Sequence, residues 1–231
     1  MTQTASKSYR IYDWAGAVLG ALAIGRLSLL LVNHIDVSVF AIFAALIAGL
    51  LVADLFSGLV HWAFDTWGTT KTWLVGPIAI RTFREHHIDP HAMLRHGFVE
   101  TNGHNLGLAA LPALAGVLLL DSVAVWNAWF LFFVALFVAM TSQIHKWAHE
   151  PSPSKIVKVF QTFRLIIPPA THRQHHVGAH TGAYCITVGW LNPLLDKTGF
   201  FRTLERAITF LTGAVPRSAH VCSTKIMSPE R

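Results

Sequence analysis

Four apolar stretches poor in charge, three of them long enough to cross a lipid bilayer as helices and one shorter, read as membrane spans, and this constrains the fold more than any other feature. Residues 14–32 are apolar apart from Arg26, and such a run rises roughly 29 Å as a helix, close to the thickness of the hydrocarbon layer. It is too long for the apolar core of a signal peptide, and no small-residue cleavage site follows it. Residues 38–60 form a second run broken only by Asp54, residues 106–120 a shorter third, and residues 123–144 a fourth rich in Phe and Trp. Short links at 33–37 and 121–122 predict two helical hairpins. The expected fold is all-α, an integral membrane four-helix anchor with a histidine-rich helical cap over residues 1–212, followed by an irregular tail at 213–231. Residues 156–167 and 200–211 read as short amphipathic helices along the interface.

Charge sets the expected orientation. Only 13% of residues are charged, against about 25% in a soluble domain. Of the eighteen Lys and Arg, seventeen lie in the N-terminal segment, the loop between the second and third runs, or the C-terminal region. Four spans put those segments on one side, and the positive-inside rule makes that side cytoplasmic. The net charge of +6 is thereby explained by topology, without a basic cluster suited to nucleic acid, and no nucleic-acid partner is expected. Cys185 and Cys222 form no CxxC pair, which fits a reducing compartment.

Fourteen histidines are present, and twelve fall between His61 and His180, at the basic side of the expected membrane. Asp54, Gly58, His61 and Asp65 are spaced 4, 3 and 4, so they share one helix face. An acid inside a membrane helix is costly, which makes Asp54 a candidate acceptor for a ligand imidazole. The second cluster holds His86, His87, His91, His96, Glu100, Asn102 and His104, of which His91 and His104 fit least well as ligands. The third is His145 and His149, an i, i+4 pair. The fourth is His172, His175 and His176, with His180 four residues on. One HxxxH arises often by chance; HxxxH, HxxHH and an HH pair on one side of a membrane point to metal. Zinc takes three or four ligands and haem one or two histidines. Eight to ten imidazoles without cysteine fit two iron ions with open positions for oxygen, with Asp65, Glu100 or Asn102 as extra ligands or supporting groups.

With these clusters aligned, the chain resembles the plasmanylethanolamine desaturases, which group with the plant plastid phosphatidylglycerol desaturase. The resemblance lies in residues 54–68 (DLFSGLVHWAFDTWG), 83–105 (FREHHIDPHAMLRHGFVETNGHN), 143–149 (QIHKWAH) and 172–192 (HRQHHVGAHTGAYCITVGWLN), about a third of the chain. It implies His61, His86, His87, His96, His145, His149, His172, His175, His176 and His180 as metal ligands, with Asp65 and Asn102 in the matching segments. It also implies two irons, O2 as co-substrate, and removal of two hydrogens from adjacent carbons of a membrane phospholipid. In the ether-lipid version a plasmanyl lipid becomes a vinyl-ether plasmalogen. With no fused cytochrome domain in the 231 residues, a ferredoxin or b-type cytochrome is the expected electron donor. Arg84, Arg95 and Arg173 are candidates for the lipid phosphate, or simply determinants of topology. An acyl-chain desaturase or hydroxylase would use the same cage. A zinc-dependent membrane hydrolase would need a general base such as the HExxH glutamate, and no HExxH occurs.

Overall fold

A computed structural model describes residues 7–34, 37–73, 75–120, 124–177 and 180–217. Its described elements are all helical: α1 (Lys7–Val32), α2 (Val39–Thr66), α3 (Arg81–Ile88), α4 (Phe98–Leu119), α5 (Val125–His149), α6 (Lys155–Thr162), α7 (Pro169–His176), α8 (Asn192–Lys197) and α9 (Phe200–Thr212). A π-helical turn, Gly76–Ile80, runs directly into α3, and a 3-10 turn, Ala92–Arg95, precedes α4. The expected tail begins as non-helical backbone at 213–217, and the rest of it, with Cys222, lies outside the described residues.

Three of these helices, α1 from Arg10, α2 and α5, are long and apolar enough to cross a membrane. Their outward faces are apolar, as a lipid solvent requires: Trp14, Val18, Leu22 and Leu29 on α1, and Phe40, Phe43 and Phe56 on α2, are all exposed. The third apolar run behaves differently. Its helix starts at Phe98, two turns before the expected boundary, and those turns carry Glu100, Asn102, His104 and Asn105. Only its second half is apolar, with Leu111, Leu114 and Leu118 turned outward at helical spacing.

The first hairpin is not formed as expected. α1 packs principally on α4, α4 on α5, and α5 on α2, so the short 33–37 link joins helices whose main neighbours lie elsewhere. Small residues explain the choice. A Cβ on Gly20 would collide with the Leu106 carbonyl and one on Gly103 with the Asp13 carbonyl, while Gly107 lies against Gly16. Bare backbones let α1 and α4 approach closely, which is how helices associate when lipid supplies no hydrophobic drive. Below this seam Ala23, Leu27, Ala109, Ala110 and Ala113 form the buried core with Ala128 and Ala135 of α5. Gly103→Val is therefore expected to destabilise the bundle by about 2–3 kcal/mol, read as a lower melting temperature in detergent.

The extra turns of α2 and the N-terminal half of α4 stand with the end of α5 over this core, and α3 and α7 pack there. The amphipathic stretch at 156–167 is helical only as far as Thr162; Ile156, Val159 and Phe160 face outward, while Ile166 and Ile167 are buried under it. The 200–211 stretch is helix α9, closed at Gly213 in the left-handed conformation that suits glycine.

Candidate metal centre

Four helices deliver imidazoles to one place. His61 and Asp65 come from the last turns of α2, His86 and His87 from α3, His145 and His149 from the end of α5, and His172, His175 and His176 from α7. These nine side chains form two groups. His86, His145, His149, His172 and His176 make one, and His61, Asp65, His87 and His175 the other, with the ligand atoms of each lying within 4.8 Å of one another. The adjacent-histidine pairs explain the division. Successive residues on a helix point about 100° apart, so His86 enters the first group while His87 enters the second, and His176 and His175 divide likewise. The groups share a wall: the rings of His61 and His145 lie 6.0 Å apart, and those of His87 and His176 5.4 Å.

In the first group, His172 Nε2 lies 2.9 Å from His145 Nε2, 2.7 Å from His149 Nε2 and 2.9 Å from His176 Nε2. His86 Nε2 lies 3.1 Å from His176 Nε2. A neutral ring nitrogen carries either one proton or one lone pair, so one Nε2 cannot satisfy three others by hydrogen bonding. Burial first, and the neighbouring imidazoles second, push His86 down to about 2 and His176 to about 3, and hold His172 well below the usual histidine range. The rings are therefore neutral at physiological pH, with lone pairs available to a shared cation.

The second group is oriented from behind by backbone carbonyls. His61 Nδ1 donates to the Tyr184 carbonyl at 3.1 Å, and His175 Nδ1 to the Gly182 carbonyl at 2.8 Å. A carbonyl only accepts, so in each ring Nδ1 carries the proton and Nε2 the inward lone pair. Burial and the charges of neighbouring histidines depress His87 far below its ordinary value. The Asp65 carboxylate lies 3.4 Å from His61 Nε2, 3.6 Å from His87 Nε2 and 3.4 Å from His175 Nε2. Both of its oxygens are buried without a hydrogen-bond donor, as is His61 Nε2. Since His175 and His61 spend their protons on carbonyls, neither can donate to Asp65 while neutral. A buried carboxylate facing the lone pairs of His61 and His175 is a strongly unfavourable arrangement unless a cation sits among them. The donor sets, five nitrogens in one group and three nitrogens with a carboxylate in the other, fit two borderline-to-hard transition-metal ions such as iron.

The remaining sequence candidates lie around these groups. His180 stacks on His87 with ring centres 4.4 Å apart and is half-buried in a left-handed conformation (φ 53°). His96 belongs to neither group: its side chain is 41% exposed and faces Glu100 at 3.8 Å, because the 3-10 turn before α4 aims it away. Asn102 is buried and ties α4 to α5, donating to the Phe98 carbonyl and to Gln143 Oε1. Asp54 does not accept from an imidazole, contrary to the sequence expectation. Its oxygens are taken by the backbone N–H groups of Val188, Gly189 and Leu191. Arg84 donates to the carbonyls of Trp67 and Gly68 at the end of α2, Arg95 pairs with Asp89, and Arg173 is exposed. His91 is exposed, and His104 lies 3.4 Å from the Ser142 hydroxyl.

Sequence reasoning missed the carbonyls of Gly182 and Tyr184, and the side chains that hold their segment. Asp196 accepts from the Ala183 N–H, and Asn192 bonds both the N–H and the carbonyl of Cys185. Backbone acceptors carry no residue-type signature, and the only hint was the clustering of Gly182, Gly189 and Asn192 after the histidines.

Fold and site together define a multi-pass helical membrane protein with a histidine-rich centre of metal-ligand character. Residues 50–219 match the lipid desaturase domain family, and the chain belongs to that family. It is 46% identical over 176 residues to plasmanylethanolamine desaturase of Myxococcus xanthus, covering 75% of this chain and 63% of that protein. It is 41% identical over 224 residues to plasmanylethanolamine desaturase 1 of Mus musculus, covering 92% and 82%. Fatty acid desaturase 4, chloroplastic, of Arabidopsis thaliana is 34% identical over 176 residues, covering 74% and 53%. The chain thus spans less than two thirds of the bacterial and plant relatives' lengths. No solved structure matches it.

Proposed function

We propose that the chain is a di-iron, O2-dependent membrane lipid desaturase that converts a plasmanyl ether phospholipid into its vinyl-ether plasmalogen. The observation that carries this reading is the pair of adjoining ligand groups, five histidines beside three histidines and Asp65. One zinc hydrolase site needs neither so many imidazoles nor a second group. Identity to the two plasmanylethanolamine desaturases exceeds that to the plant acyl-chain relative, which favours the ether substrate.

In the overall reaction a –CH2–CH2–O– segment loses two hydrogens. One O2, two electrons and two protons are consumed with them, and two waters form. The electrons come from an external ferredoxin or b-type cytochrome. The irons supply oxygen activation when bound, and the protein supplies ligands, orientation and a water-poor enclosure. His86, His145, His149, His172 and His176 would hold one ion, and His61, Asp65, His87 and His175 the other. His180, stacked on His87, steadies that ring; His96 and Glu100 stay outside the ligand set. The carbonyls behind His61 and His175 keep their Nε2 atoms unprotonated and turned inward.

Four membrane crossings, with α4 as the fourth beside α1 and α5, leave the histidines on the side that holds the Lys and Arg, hence the cytoplasmic side. A centre at that level suits a bond next to the glycerol ether oxygen, close to the headgroup. Arg84, whose guanidinium donates to the Trp67 and Gly68 carbonyls at the end of α2, is the arginine proposed for the lipid phosphate.

The test is lipid mass spectrometry of plasmalogen-free cells expressing the chain and supplied with a plasmanyl lipid. An acid-labile product lighter by two hydrogens is expected from wild type and none from His175→Ala. A product heavier by one oxygen identifies a hydroxylase, and a shortened or released chain a hydrolase.

A further inference from the structure

Residues 182–191 are a non-helical strap laid across α2, leading into α8 at Asn192. Asn192 closes its lower part into a loop, its amide bonding the N–H and the carbonyl of Cys185 at 2.8 and 2.9 Å. Asp54 grips that loop from α2. Its Oδ1 accepts from Val188 N and Gly189 N, both at 2.9 Å, and its Oδ2 from Leu191 N at 3.3 Å. One turn on, Ser57 Oγ accepts from Ile186 N at 3.0 Å and donates to the Asp54 carbonyl at 2.7 Å. Gly58 gives the strap its seat, since a Cβ there would lie 2.6 Å from Cys185 Sγ. The upper part of the same strap carries the carbonyls of Gly182 and Tyr184 that receive the Nδ1 protons of His175 and His61.

The depth of the grip matters. Asp54 is fully buried six residues before the apolar run ends at Val60, about 9 Å along the helix. Irregular backbone at membrane depth needs an internal partner for each N–H, and one carboxylate supplies three. Asp54 is also two helical turns from His61 on the same face of α2. One face of one helix therefore holds both a ligand and the clamp that fixes that ligand's tautomer.

Building on the metal-centre reading, we propose that Asp54 is a positioning residue of the second ligand group: by clamping the strap, it holds the carbonyls that aim His61 and His175 at their ion. Removing the clamp frees the strap to slide on α2, and the two rings lose their fixed proton and direction; the rings of the five-histidine group take no hydrogen bond from the strap, which meets their helices through Thr187, bonded to Ile167 N and the Thr141 hydroxyl, so that group keeps its ligand set.

The experiment uses the full chain in detergent, stripped of metal and titrated with Co(II), with binding isotherm, stoichiometry and visible absorption as readouts. Wild type, Asp54→Ala, Asp54→Asn and Leu27→Ala are compared, the last opening a cavity in the distant bundle core as a control for lost stability. For Asp54→Ala one Co(II) is expected to bind about tenfold or more weakly with a changed absorption band, while the other binds as in wild type. Leu27→Ala, at a matched fall in melting temperature, is expected to keep both ions and the wild-type spectrum. Asp54→Asn retains Oδ1 but sets an amide N–H against that of Leu191, and a loss of several-fold at the same single ion is expected. If Asp54→Ala melts lower yet binds two Co(II) with wild-type affinity and spectrum, the residue serves the fold alone and the proposal falls. Should Asp54→Ala not fold, wild-type binding by Asp54→Asn overturns it equally. A wild-type chain that takes up no Co(II) instead refutes the metal centre itself.

Discussion

His172→Ala is expected to strip the five-histidine group of its ion and to lower desaturation by more than about 100-fold, beyond the 10- to 100-fold typical of losing a supporting group behind a ligand. The ring is the hub of its group: its Nε2 stands within 3 Å of three other imidazole nitrogens, and the side chain is almost fully buried. Removing it leaves the remaining nitrogens without their common neighbour. The apolar core around Leu27, Ala110 and Ala135 does not include His172, so the chain remains helical. Metal content per purified chain and product formation are measured together. A variant that keeps its full metal complement and its activity would show that the convergence of nitrogens is not a binding site.

Asp65→Asn is expected to change stability in opposite directions with and without metal. In chelator, the wild-type carboxylate is buried against three imidazoles with no donor to either oxygen. The amide removes the charge and offers N–H groups to the lone pairs of His61 and His175. The stripped variant should thus gain on the order of 1–3 kcal/mol, seen as a higher melting temperature. With metal present the order reverses: an amide is a weaker ligand than a carboxylate, and the second ion binds poorly. Activity falls with it. Melting curves in chelator and in saturating Fe(II) under anaerobic conditions test both halves. A variant less stable than wild type under both conditions would assign Asp65 an ordinary structural hydrogen-bonding role.

Much of this site was legible because side-chain chemistry repeats at helical spacing. The 4, 3, 4 pattern from Asp54 to Asp65 put His61 and Asp65 on one face, and HxxxH and HxxHH marked the end of α5 and the last five residues of α7. What was not legible depended on partners far away in the chain. Asp54 looked like a group for an imidazole because an acid in a membrane helix demands a donor, yet its donors are backbone N–H groups more than 130 residues on. His96 matched a motif but sits on a turn whose direction periodicity cannot give. The pairing of α1 with α4 rests on Gly16, Gly20, Gly103 and Gly107, which apolar patterning treats as neutral, and the short 33–37 link argued for the wrong neighbour.

The splitting of His86 from His87, and of His175 from His176, has a consequence for how such a centre can change over time. Each pair is a rigid two-pronged fork, so turning α3 or α7 to improve one prong spoils the other. A single inserted or deleted residue within either helix would swing both prongs by about 100° and disarm both groups at once. The connections between the helices carry no such restriction. Divergence among descendants of this fold can therefore accumulate in loop length and in the outward faces, while the helical register of two short segments stays frozen.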